Sequence, residues 1–212
     1  MQLLPKEFDT ILVGLLQGNW IRLAEPLPKY DPEVVCEFYV NSWTGGQGAQ
    51  EMRSKVRGKW VHFDRDSISE FLGNPLQLQE GDKCTYQNLK AKTFGFNDQK
   101  VARKICIANC SYQVGPTENP LRILRKDMKT ISQVWMIFML SNMVPIGHVF
   151  YLNMPKCHLL YSLLKENYTV DVEKIICDEI YKFITLKVNN QESKGSLGFP
   201  VLITTLCQAQ GI

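Results

Sequence analysis

Apolar residues recur at helical spacing along most of the chain. Phe8, Ile11, Leu12, Leu15 and Leu16 form the first stripe, and Gly18-Asn19 stops it. Asp31-Pro32-Glu33 reads as a helix start: a side-chain cap, a proline in the first turn and an acid at the positive end of the dipole. The helix behind it buries Val34, Val35, Phe38 and Tyr39 and runs out into the loop Thr44-Gly45-Gly46-Gln47-Gly48. Asp64 or Ser67 opens a short helix through Ile68, Phe71 and Leu72. Ser67 and Glu70 stand at capping-box spacing, Gly73 is placed for a left-handed cap, and Asn74-Pro75 closes the unit. Asn97 caps a helix through Val101, Ala102 and Ile105.

The second half is more strongly helical. Ile131, Val134, Trp135, Phe138 and Met139 share a face that ends before Pro145. Asn153-Met154-Pro155 is another cap-plus-proline start, followed by Leu160, Tyr161 and Leu164. Asp171 caps the cleanest stripe, Val172, Ile175, Ile176, Ile180, Phe183 and Ile184, broken only by Glu179. Phe199-Pro200 starts a last helix through Leu202, Ile203, Leu206 and Cys207.

One segment has strand character: Val56 and Trp60-Val61-His62-Phe63 flank Arg57-Gly58-Lys59, with Gly58 as the hairpin turn or a bulge. Residues 76–96 are polar and weakly patterned and read as loop. The expected fold is mainly α: a helical, bundle-like single domain over residues 1–212 with one small β-hairpin, and a candidate internal boundary near 76–98.

Composition changes this picture little. Hydrophobic residues make up 45%, ordinary for a globular chain. The balance of 24 basic and 21 acidic residues gives +3, too small an excess to argue for nucleic acid by itself. The seven cysteines are scattered, and several fall in apolar segments. They read as reduced, mostly buried thiols of a nuclear or cytoplasmic protein. The stretch Val134 to Val149 is too short and too polar to span a bilayer, and Met1 to Pro5 does not open a signal peptide.

No catalytic site emerges. Cys106 and Cys110 fall four apart on one expected helical face, and Cys157-His158 are adjacent, but none of these has zinc-pair spacing. The histidines His62, His148 and His158 have no nucleophile motif around them. Asp64, Asp127 and Asp171 fit helix starts better than a two-metal carboxylate cluster. Thr44 to Gly48 lacks the Gly-Lys-Ser/Thr ending of a phosphate loop. Catalytic residues, metal ligands and cofactors are therefore expected to be absent.

Two basic sets remain. Arg53, Lys55, Arg57 and Lys59 alternate across the hairpin and are expected on one face, with Trp60 beside them to stack on a base. A weaker set, Arg122, Arg125, Lys126 and Lys129, shares part of one expected helical face. For each set the competing reading is a solvated charged face, with Trp60 turned to the core.

The order of several motifs resembles a known family. Val56-Arg57-Gly58-Lys59-Trp60-Val61, then Phe63-Asp64-Arg65, then Phe71-Leu72-Gly73-Asn74-Pro75-Leu76 is similar to the signature block of the plant transposon protein domain. Asn19-Trp20 to Pro26 and Val34 to Tyr39 match its start, and Leu197-Gly198-Phe199-Pro200 to Ile212 matches its end. His62 stands where the pattern carries a proline, and Asp98 to Arg125 is the hardest segment to match. The resemblance implies a protein of plant transposons and retrotransposons; it carries over no activity and no site residues.

These readings converge on a non-enzymatic helical module of a plant mobile element. Its candidate partner is DNA or RNA, met through the basic hairpin. The alternative is a protein–protein or self-assembly module of gag-like type, with its apolar patch on one of the later helices. A transposase-type nuclease built on Asp64, Asp127, Asp171 or Glu179 comes last. Neither a membrane nor a small-molecule substrate is indicated.

Overall fold

A computed structural model describes residues 5–18, 20–24, 29–43, 52–73, 76, 81–92, 95–145, 148–188 and 198–212. The elements in chain order are α1 (Pro5–Gln17), α2 (Ile21–Ala24), α3 (Pro32–Asn41), β1 (Ser42–Trp43), β2 (Arg53–Val56), β3 (Lys59–His62), α4 (Arg65–Leu72), α5 (Thr85–Ala91), α6 (Asp98–Ile105), β4 (Gln113–Val114) and β5 (Pro120–Leu124). A 3₁₀ turn (Arg125–Asp127), α7 (Thr130–Asn142), β6 (Tyr151–Asn153), α8 (Met154–Leu163), α9 (Val172–Val188) and α10 (Pro200–Ala209) complete them. The fold is mainly α.

The chain packs into two compact units. One joins Met1–Gly18, Gln77–Ser141 and His148–Asp171; the other joins Asn19–Leu76, Asn142–Gly147 and Val172–Ile212. The first contains α1, α5 to α8 and the antiparallel sheet β4-β5-β6; the second contains α2 to α4, α9, α10 and the antiparallel sheet β1-β2-β3. One crossing, at Leu76–Gln77, falls at the edge of the boundary segment expected near 76–98.

In the second unit α3 starts as its sequence indicates. Asp31 Oδ1 accepts from the N–H groups of Glu33 and Val34, at 2.9 and 3.3 Å, and supplies orphan donors of the first turn with a partner. The residues buried on α3 are Val34, Val35, Phe38 and Tyr39. Phe38 meets Phe63 edge-on at 5.2 Å between centroids, joining the helix to the end of the hairpin. Asp64, rather than Ser67, caps α4, and Gly73 closes it in the left-handed conformation at φ 70°. Phe199 precedes α10 at φ 52° and makes no side-chain cap, so the proline alone marks that start.

The first unit departs more from expectation. Residues 76–96 contain a helix, α5, because Cys84 acts as a capping residue. Gln87 N–H donates to Cys84 Sγ at 3.4 Å, and Cys84 N–H donates to Gln87 Oε1 at 3.3 Å, a capping box with a thiol in place of a hydroxyl. Thr169 fixes the same turn, accepting from Thr85 N–H at its hydroxyl and from Tyr86 N–H at its carbonyl. Cys106 does not continue α6. It caps the helix and bridges to Met128, so Cys106 and Cys110 do not share a helical face. The single hairpin expected from sequence is present, and a second sheet accompanies it. Ile123 and Leu152 face each other across β5 and β6, both fully buried.

Candidate nucleic-acid interface

The hairpin turn is Arg57-Gly58, both at positive φ, 46° and 81°. That is the geometry of a two-residue turn whose twist matches the strands, and glycine at its second position makes it cheap. The register pairs Arg53 with His62, Ser54 with Val61, Lys55 with Trp60 and Val56 with Lys59. Paired residues share a face. Ser54, Val56 and Val61 are all fully buried, so that face packs inward; Arg53, Lys55, Trp60 and His62 lie on the other.

The four cations therefore do not project from one face. Arg53 and Lys55 share the outward face with Trp60. The Arg53 guanidinium lies 4.3 Å over the Trp60 ring, a cation–π contact, and Trp60 remains 44% exposed. Trp60 is thus not turned to the core. Lys55, directly opposite Trp60, is exposed, and its ammonium makes no hydrogen bond or ion pair among the described residues. Arg57 sits in the turn and pairs with Asp31 Oδ2 at 3.0 Å, while its backbone N–H donates to Glu37 Oε1 at 2.8 Å. Lys59 belongs to the inward register and donates from Nζ to the Gly211 carbonyl at 2.7 Å, beyond the end of α10. Simple alternation fails here because Arg57 and Gly58 fill the turn, so the in–out pattern restarts after it.

The weaker basic set is not helical. Arg122 lies in β5, Arg125 and Lys126 in the 3₁₀ turn, and Lys129 just before α7. Pro120 blocks a helix there, and Ile123 and Leu152 reward the two-residue alternation of a strand. Lys129 Nζ donates to the carbonyls of Arg103 and Lys104, at 2.8 and 3.0 Å, and so serves the C-terminal end of α6. Arg122 Nε donates to Gln113 Oε1 at 2.8 Å, and its guanidinium lies 4.8 Å over Tyr151. Phe150 and Tyr151, beside this set, have no distinguishing sequence signal; periodicity gives no sign that Phe150 is left outside the core.

The other candidate groups have local roles. His158 Nε2 meets Asp98 Oδ1 at 2.7 Å and stacks on Phe96 at 4.4 Å, a buttress between α6 and α8. Asp64 caps α4, and Glu179 pairs with Lys182 one turn along α9. Among the described residues no three His, Cys, Asp or Glu side chains come together to hold a metal ion. Burial pushes the Cys157 thiol up to about 12, and the Cys106 and Cys207 thiols up to about 11, which makes them poor nucleophiles. The glycine-rich segment 44–48 lies outside the described residues. No helix among the described residues is long and apolar enough to cross a membrane.

Fold and surface together define a mainly α protein with two small antiparallel sheets among the described residues and a cationic, aromatic hairpin face. A family model, "Putative plant retrotransposon-related domain", matches residues 17–212, and the chain belongs to that family. Neither a curated protein nor a solved structure matches it.

Proposed function

We propose that this chain is a non-enzymatic module of a plant mobile-element protein that binds nucleic acid through the outward face of the β2–β3 hairpin. The observation that carries the reading is the triad Arg53, Trp60 and Lys55. Arg53 holds the Trp60 ring from one side, and the Lys55 ammonium, without a partner among the described residues, stands opposite it in register. An exposed ring held in place is a stacking platform with little rotamer freedom left to lose, and Lys55 supplies the phosphate contact. Arg57 and Lys59 contribute less, because each is already engaged within the fold. Trp60→Ala and Lys55→Ala are the discriminating variants, since neither side chain supports the core. Titration with labelled oligonucleotides should show each variant weakened by about fivefold or more, on the scale of base stacking and single phosphate contacts. Unchanged affinity in the double variant would remove the hairpin from consideration.

A self-assembly role is the second reading. It draws support from α1, where Leu12, Val13 and Leu16 are exposed, Leu16 at 57%. This stripe is on the first helix, whereas the gag-like alternative expects its apolar patch on one of the later helices. Sedimentation across a concentration series should reveal an oligomer that Leu12→Glu with Leu16→Glu dissolves; a concentration-independent monomer argues against this role.

A further inference from the structure

We propose that the unit containing β4-β5-β6 carries a separate site for unpaired bases of a single-stranded nucleic acid. Its centre is a groove of about 610 Å³ lined by Leu124, Arg125, Lys126, Gln133 and Phe150. The site is independent of the hairpin and stands or falls without it.

Phe150 is 75% exposed, far more than a phenylalanine needs to be when an apolar groove lies beside it. Its backbone is fixed: the Phe150 carbonyl accepts from Arg125 N–H at 2.9 Å, extending the β5–β6 pairing by one step. The ring is therefore presented from an anchored position. The groove wall is cationic. Among the described residues Lys126 is exposed and makes no ion pair, and the Arg125 guanidinium donates from Nε to the Gln133 amide oxygen at 3.4 Å without an acidic partner. The Gln133 amide is held in turn by donating to the Met128 carbonyl at 3.0 Å.

One strand face runs on from the groove through Leu124. Register places Leu124 opposite Tyr151, so the two share a face, and Arg122 lies on that face two residues before Leu124. Arg122 covers the Tyr151 ring at 4.8 Å, and His148 lies 4.3 Å from it at 37°. The order is an exposed ring, a cationic groove, then the Arg122–Tyr151 cation–π pair with His148 tilted against it. A single strand alternates π-faces with phosphates and matches this order. A duplex hides its base faces in its own stack and offers phosphates and groove edges, neither of which meets an exposed ring face-on. An acidic peptide would answer the cations but would leave the alternating rings unexplained.

The test uses the full chain with dodecamers of uridylate and of thymidylate and a mixed-sequence DNA duplex, each labelled for anisotropy. Phe150→Ala should weaken single-strand binding about tenfold, within the range for loss of one stacked base, and leave duplex binding unchanged. Phe150→Trp should restore it. Preference for one of the two homopolymers identifies RNA or DNA as the source. The same Phe150→Ala loss should appear in a Trp60→Ala, Lys55→Ala background, which separates this site from the hairpin. Single-strand binding unaltered by Phe150→Ala, or equal loss for strand and duplex, overturns the proposal and leaves the hairpin reading untouched. A protein that loses binding only through Phe150→Ala keeps this site and loses the hairpin one.

Discussion

The side-chain amide of Gln210 closes the open edge of β3 at His62. Gln210 Oε1 accepts from His62 N–H and Gln210 Nε2 donates to the His62 carbonyl, each at 2.9 Å. Strand order leaves β3 at the sheet edge, and the amide takes the two places that a further strand would fill. Gln210→Ala should therefore cost about 1 kcal/mol, as expected for exposed side-chain hydrogen bonds, and lower the urea midpoint without changing the slope. Gln210→Glu should lose one of the two bonds and place a charge at the edge. Equal midpoints for wild type and Gln210→Ala would show that the clasp adds no stability.

Asp31 does two jobs with its two oxygens. Oδ1 caps α3 and Oδ2 meets Arg57 at 3.0 Å. Both partners of the ion pair are more than a third exposed, so the pair itself contributes little. Asp31→Asn should be nearly neutral, whereas Asp31→Ala should lose the cap at about 1 kcal/mol. Thermal unfolding of the two variants separates the roles; equal losses would mean that the charge, not the cap, matters.

Gly14 sits in α1 where a Cβ would come 2.7 Å from Cζ2 of Trp135. Alanine is the better helix former by about 1 kcal/mol, so a gain would be expected if propensity decided the matter. Overpacking against the ring should win, with a net loss of about 1–2 kcal/mol and altered tryptophan fluorescence. A stabilised Gly14→Ala protein would show that the ring yields freely.

Cys106, Cys157 and Cys207 are held as neutral thiols by burial, with values raised to about 11, 12 and 11 from an ordinary 9.0. A raised folded-state value means that the fold prefers the protonated form. The contribution to stability is complete well below the ordinary value of 9.0, where the unfolded thiol is also protonated, and declines as pH rises from there through the folded values. Denaturant midpoints should fall between pH 9 and 11, and Cys157→Ser, though less stable, should show a shallower fall. Exposed Cys36 should react first with a thiol reagent at neutral pH. Rapid labelling of Cys157 in the native protein would contradict this.

Much of the helical framework is legible in the sequence because its signals are local. Asp31-Pro32, Asn97, Asn153 and Gly73 each act within one turn of their own position, and each caps as its sequence context implies. Helix α5 escapes because its cap is a cysteine and its seven residues carry little apolar pattern. Sheet β4-β5-β6 escapes because Ile123 is buried by Leu152, a partner remote in sequence, and no periodicity records a pairing across such a gap. That pairing also moves Arg122, Arg125 and Lys126 off the expected helix. At the hairpin, residue types identify the strands and turn, but the sides taken by Lys59 and Trp60 depend on register, which is set by burial of Ser54, Val56 and Val61.

The most direct test of the hairpin reading is the salt dependence of oligonucleotide binding, compared between wild type and the Arg53→Ala, Lys55→Ala double variant. Removing one cation from a phosphate should reduce the slope of log affinity against log salt by about 0.7–0.9. The double variant should therefore bind more weakly, through loss of the Arg53 hold on Trp60, and with a slope shallower by about that amount, through loss of the Lys55 phosphate contact. Wild type and variant with the same affinity and the same slope would contradict the claim that this face meets nucleic acid.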